Sequence, residues 1–277
     1  MAAPISLIQM TFAGLLVAVS AGQGAADDSM LLGLQTGDDA SGWEAVGRLD
    51  IDGRGFCTGT LIAPDLVLTA AHCLFDHDTG IRVEDGSIEF LAGWRNGRAL
   101  AYRDVERAVL HPDYVHQGMP QGNDSQFDLA LLQLDQPIRS TGINPFEIGT
   151  MGDIGDQVGI VSYAFDRADV PSLQEVCGVL GQQSGVIVMS CEVDFGSSGA
   201  PIFHIQDGEA RIVSVVSAKA DLDGENVAIG VVIDGPLDTL RAAFDTGDSL
   251  FRDGLPGEIR VINSGERAEI GAKFVRP

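Results

Sequence analysis

The sequence predicts an all-β fold of two packed six-stranded antiparallel barrels, followed by a helix at the C-terminal end. Short apolar runs rich in Val, Ile, Leu and Thr recur between residues 43 and 233. Turn residues bound them, and they fall into two clusters of about six. Glycine is abundant, 35 of 277 residues, as many short strands joined by tight turns require. No heptad or short internal repeat competes with that reading, and barrel proteins of this length form large cores.

In chain order, the first cluster comprises Trp43–Asp50, Phe56–Ile62, Leu66–Thr69, Ile88–Trp94, Tyr102–Leu110 and the apolar run Leu129–Leu134. Ala63-Pro64-Asp65 turns the second run into the third. Pro137 and Pro145 punctuate a crossover to the second cluster: Gln157–Tyr163, Leu173–Leu180, Val186–Cys191, Ile202–Ile205, Arg211–Ser217 and Ala228–Ile233. Asp221–Asn226 reads as a solvated hairpin tip. Pro236–Phe244 has helical spacing and good helix formers.

The two ends read differently. Residues 1–26 carry no charged side chain, and Leu15-Leu16-Val17-Ala18-Val19 centres an apolar stretch ending in small residues. This is the pattern of a secretory signal peptide cleaved near Ala21 to Ala26. A membrane anchor is the rival reading, although Gln9 and Thr11 leave the run short of a full span. Residues 27–42 form a polar N-terminal arm, 43–244 the folded domain, and 245–277 an extension in which Glu258–Ile262 adds a strand.

The formal net charge of −23 and pI near 4.3 exclude nucleic acid as a partner, since phosphate binding needs clustered cations and only Lys219 and Lys273 are lysines. Such a charge mainly keeps a chain soluble. No cofactor is called for. Asp76-His77-Asp78-Thr79-Gly80 is a polar turn with oxygen ligands for Ca²⁺ but no twelve-residue loop pattern, so it reads as a solvated turn and no metal is assigned.

Chemistry concentrates in Cys191-Glu192-Val193-Asp194-Phe195-Gly196-Ser197-Ser198-Gly199-Ala200-Pro201. A serine between glycines can occupy a turn whose backbone N–H groups converge on one point. Ser198 is the candidate nucleophile, with the N–H groups of Gly196 and Ser198 receiving the oxyanion. Two other segments supply partners: Thr69-Ala70-Ala71-His72-Cys73 a base, and Phe127-Asp128-Leu129-Ala130-Leu131 a carboxylate. Asp124 is a rival acid, but its neighbours are polar, whereas Asp128 lies between Phe127 and Leu129.

These three motifs, in the order His, Asp, Ser, resemble the signatures of the chymotrypsin/trypsin-like serine peptidases, in style the bacterial glutamyl-endopeptidase (V8-like) members. The resemblance runs from about Trp43 to about Ala243, and His111-Pro112-Asp113-Tyr114 extends it, with His111 structural. It implies a secreted or periplasmic serine endopeptidase acting on polypeptides. His72 would be the general base, Asp128 the group orienting it, and Ser198 the acyl carrier.

Four cysteines allow three pairings. The resemblance implies Cys57 with Cys73, bracketing the histidine, and Cys177 with Cys191, just ahead of the serine loop. Trypsin-like enzymes often insert a freed N-terminal amine beside an aspartate preceding the nucleophile. Ser197 occupies that place here, so the serine loop is expected to take its working shape unaided.

Specificity is less determined. Glu192 occupies a position that attracts basic side chains by trypsin-like counting. Lys219, lining the same pocket, would favour acidic ones, and both charges facing solvent is the remaining alternative. The pocket histidine of glutamate-specific members has no match. A competing function is a non-catalytic binding protein on a peptidase scaffold; an esterase is disfavoured because α/β-hydrolases order their triad Ser, acid, His. The chain is expected to act as a monomer, free of membranes once the signal is removed.

Overall fold

The structure is a computed structural model and describes residues 28–117, 122–206 and 208–246. The expected signal peptide and all of the extension beyond 246, including Glu258–Ile262, lie outside those residues. A two-residue strand, β1 (Leu32–Gly33), precedes the first barrel. That barrel comprises β2 (Val46–Ile51), β3 (Gly55–Ala63), β4 (Leu66–Thr69), β5 (Ile88–Ala92), β6 (Ala101–Leu110) and β7 (Ala130–Leu134), closed in the order β2-β3-β4-β7-β6-β5. The second comprises β8 (Gln157–Ser162), β9 (Ser172–Gln183), β10 (Val186–Met189), β11 (Pro201–Gln206), β12 (Glu209–Leu222) and β13 (Glu225–Val232). β8 pairs with both β9 and β11, which closes this sheet as well. All of these pairings are antiparallel, and the fold is the predicted pair of six-stranded barrels.

Closure removes the edges that would otherwise present unpaired backbone groups. It also demands alternation. In β6, Tyr102, Asp104 and Glu106 are exposed while Val105, Ala108 and Val109 are buried. A register shift between Val105 and Arg107 reconciles the two patterns on one curved strand.

The barrels share apolar packing. One buried cluster runs from Leu49, Leu68, Phe90 and Leu132 of the first barrel to Val161, Phe203, Val215 and Val231 of the second. Trp43 and Phe146 meet the fully buried Phe203 at centroid distances of 5.1 and 4.7 Å, in tilted geometry favourable to aromatic quadrupoles. The crossover is fastened to both sides: Phe146 N–H donates to Leu61 O (2.9 Å) and Gly149 N–H to Ile212 O (2.8 Å).

Helix α1 (Pro236–Thr246) buries Leu237 and Leu240. The Arg107 guanidinium lies 4.0 Å from the Phe244 ring centroid and donates to the Phe244 carbonyl, fixing the helix on the first barrel. Among the described residues no helix is long and apolar enough to cross a membrane.

The structure departs from the sequence reading mainly at element ends. β9 and β12 run longer than the apolar runs, because a strand continues past its buried face wherever its partner supplies hydrogen bonds. The arm contributes β1, which pairs Leu32 with Leu173 and Gly33 with Ser172. Asp221–Asn226 is the expected hairpin tip, with Asp223 and Gly224 both at positive φ and Gly224 N–H bonded to Asp221 Oδ1.

Candidate active site

The histidine is delivered by β4. Residues 66–69 pair with β3 on one side and β7 on the other, and the chain then leaves the sheet in a 3₁₀ turn, Ala71–Leu74. Asp128 precedes β7, which pairs Thr69 with Ala130, so the two side chains emerge at the same barrel end. Asp128 is fully buried. One oxygen accepts the His72 backbone N–H (2.8 Å) and the other faces His72 Nδ1 at 2.7 Å. The Ser217 hydroxyl donates to that second oxygen. A buried carboxylate costs several kcal/mol unless its lone pairs are satisfied, and three donors satisfy this one. The consequence is a fixed imidazole: Nδ1–H is committed to Asp128, which leaves Nε2 as the acceptor.

The serine loop comes from the second barrel and is tied to the first. Ser198 O accepts the Thr58 N–H (2.9 Å), and Gly196 O accepts the Thr58 hydroxyl (2.9 Å). Gly199 sits at φ +78° with its backbone against Thr69 and Ala70, where an added Cβ would meet Thr58 O at 2.3 Å. Gly196, at φ +96°, is pressed on the Phe56 ring in the same way, its Cβ position 2.2 Å from a ring carbon. Both glycines are therefore required by conformation and by space. The chain of contacts Ser198–Thr58–Thr69–Ala70 carries the loop to the segment that ends in His72.

Ser197, expected to leave the loop independent of a freed amine, is fully buried. Its hydroxyl lies within hydrogen-bond reach of Tyr163 O (3.2 Å), Ser162 Oγ (3.3 Å) and Asp194 N (3.3 Å). Its N–H donates to Asp194 O, closing the turn around Phe195 and Gly196. The N–H groups of Gly196 and Ser198 have no protein acceptor among the described residues.

Both disulfides join the pairs that the resemblance implied. Cys57–Cys73 ties β3 to the histidine turn, and Cys177–Cys191 ties β9 to the start of the serine loop. The cysteine sulfurs and His72 form the one cluster with metal-ligand spacing among the described residues, but those sulfurs are bonded to each other and cannot act as thiolates. At the polar turn, Asp76 Oδ1 accepts from Asp78 N, Thr79 N and Thr79 Oγ1. These bonds, the Thr79 hydroxyl first, hold the Asp76 carboxyl below its ordinary pKa.

Lys219 and Glu192 are separated by environment. The Lys219 ammonium lies 3.7 Å from Asp194 Oδ1, both half-exposed, so a carboxylate of the chain already accompanies it. Glu192 is exposed while its backbone is held by Gln174 and Arg167. His111 is buried, stacked on Phe127 at 4.8 Å, and accepts the Asp113 N–H through Nδ1. The side chain of Asp124 lies outside the described residues.

Sequence reading missed Thr58, Ser217 and the role of Gln174. Thr58 and Ser217 lie inside apolar runs, and a hydroxyl buried in a strand was the available signal. It also missed His116, whose ring stacks on Phe75 at 3.9 Å with Nδ1 3.1 Å from the Tyr114 hydroxyl. Burial, then the neighbouring His72, lowers the His116 pKa, with Asp128 opposing.

Two antiparallel barrels with a His–Asp pair at the end of one and a glycine-framed serine on the other define the class of two-barrel serine hydrolase scaffolds. The chain belongs to the trypsin-like peptidase domain family, whose profile matches residues 57–211. It is 28% identical over 159 residues to a glutamyl endopeptidase of Bacillus licheniformis, covering 54% of this chain and 46% of that protein. It is also 29% identical over 191 residues to a trypsin of Simulium vittatum, covering 58% of this chain and 69% of that one. The chain thus spans less than half the length of the Bacillus relative. A solved Glu endopeptidase structure in complex with MPD superposes with a TM-score of 0.63 at 18% identity, covering 79% of this chain and 97% of the other, a likeness of fold.

Proposed function

We propose that this protein is a secreted serine endopeptidase that cleaves polypeptides through an acyl-enzyme on Ser198. The observation that carries the reading is the commitment of His72 Nδ1–H to a buried, fully satisfied Asp128, which leaves Nε2 as the base. His72 takes the Ser198 proton as the hydroxyl attacks the scissile carbonyl, and Asp128 stabilises the imidazolium that forms. Gly196 and Ser198 N–H groups bind the oxyanion. His72 returns the proton to the leaving amine, and the acyl group passes to a water activated by the same imidazole. Family membership and the two disulfides support export to an oxidising compartment. The Lys219–Asp194 pair sets the charge of the specificity wall, and Glu192, exposed, contributes through its backbone.

A fluorophosphonate probe tests this directly. The wild type is expected to be labelled at Ser198 and to hydrolyse peptides, while Ser198→Ala does neither. An unlabelled wild type would favour a binding protein on the same scaffold, and an alanine variant with full activity would refute the assignment of Ser198.

A further inference from the structure

Gln174 on β9 is a polar side chain only 1% exposed, and it faces two backbone groups from distant parts of the chain. Its Oε1 accepts the N–H of Glu192 at 2.8 Å, and its Nε2 donates to the carbonyl of Ser29 at 3.1 Å. One partner is only a donor and the other only an acceptor, so a single orientation of the amide satisfies both. Ser29 is further clasped to the next residue but one on the strand. Ser29 N–H donates to Val176 O (2.8 Å), and Val176 N–H donates to Ser29 Oγ (2.8 Å). Beyond it, β1 lies on β9. At the other end, Glu192 opens the segment that closes on Ser198, and its carbonyl accepts Arg167 Nη2 (3.4 Å). Cys191, directly before it, is fastened to Cys177.

We infer that Gln174 is a positioning residue that couples the docked N-terminal arm at Ser29 to the serine loop at Glu192. The inference rests on the peptidase reading above. When the arm is seated, the amide is satisfied at both ends and holds the Glu192 N–H in one place. When it leaves, a buried NH₂ loses its acceptor, and the amide regains one only by turning away from Glu192. Substrate or inhibitor bound against the loop then stabilises the seated arm, because coupling between two sites is reciprocal. The arm thus acts as a reporter and a modulator of the loop without any charged amine reaching the nucleophile.

Amide hydrogen exchange of the full-length protein, free and labelled at Ser198 with a fluorophosphonate, tests the coupling. Labelling is expected to slow exchange of the Ser29 and Leu34 N–H groups about tenfold in the wild type and to leave it unchanged in Gln174→Leu. In Gln174→Leu the second-order labelling rate is expected to fall about tenfold. Gln174→Glu keeps the acceptor for Glu192 but cannot donate to Ser29, so it should label at close to the wild-type rate yet show no protection of the arm. A wild type that labels normally without slowing arm exchange overturns the coupling alone. Gln174→Leu labelling at the wild-type rate does the same, whereas failure of the wild type to label removes the peptidase reading itself. The wild-type exchange comparison decides the matter even where Gln174→Leu does not fold.

Discussion

At the scale of single residues, the site depends on side chains whose alternatives are excluded by space or charge. Gly196→Ala places a methyl group against the Phe56 ring in a left-handed backbone, so the turn must shift its N–H. Losing one oxyanion donor costs roughly 10²–10³ in kcat, and that is the expected loss, read by steady-state kinetics on a peptide amide. Phe56→Ala added to it should recover part of the loss by relieving the contact. His111 titrates for a different reason. Burial lowers its pKa from 6.5, with Asp113 opposing, and protonation would also forfeit the Asp113 N–H bond accepted by Nδ1. Below 6.5 the unfolded chain binds this proton more readily than the folded one, so stability rises with pH there. Its contribution is complete above 6.5 and is lost as pH falls towards the lower folded value. Thermal melts across that window should show a shallower acid decline in His111→Asn, which retains an acceptor without titrating.

Elements position those residues, and their legibility in the sequence was uneven. The β-type runs were readable because barrel strands bury one face and are bounded by turn residues. His72, Asp128, Ser198 and the flanking glycines stand out as candidates because the residue types sit in short contiguous motifs. What was not readable is what arrives from far along the chain. Thr58 bridges the two barrels through a 138-residue separation to Gly196, and Ser217 meets Asp128 across 89 residues. Gln174, an ordinary polar residue in a strand pattern, reaches Ser29 across 145 residues. Periodicity reports which face a residue takes, not which partner waits there. The strand ends were missed for a related reason, since β9 extends where β10 pairs with it rather than where its own apolar pattern stops. Replacing Cys177 and Cys191 together by Ala should therefore affect one element most. Removing a native disulfide costs about 2–5 kcal/mol, and a fall in melting temperature with a larger loss of labelling rate than from Cys57/Cys73 replacement is expected.

The molecule as a whole is two closed sheets with one common apolar seam, and the candidate site residues are divided between the two barrels. His72 and Asp128 belong to the first barrel and Ser198 to the second, while Trp43, Phe146 and Phe203 fill the contact between them. The formal net charge of −23 sets up a long-range repulsion towards polyanions.

The crossover joining the barrels is exposed at Arg139, Ser140, Thr141 and Gly142 before Ile143 returns to the interior. Because the barrels adhere through packed side chains and hydrogen bonds rather than through that covalent tether, the chain is expected to tolerate division there and to rejoin without ligation. Co-expressed as 1–140 and 141–277, the halves should co-purify and recover fluorophosphonate labelling that neither shows alone. The fold would then serve as its own complementation reporter, with signal produced only when the imidazole of one fragment meets the hydroxyl of the other.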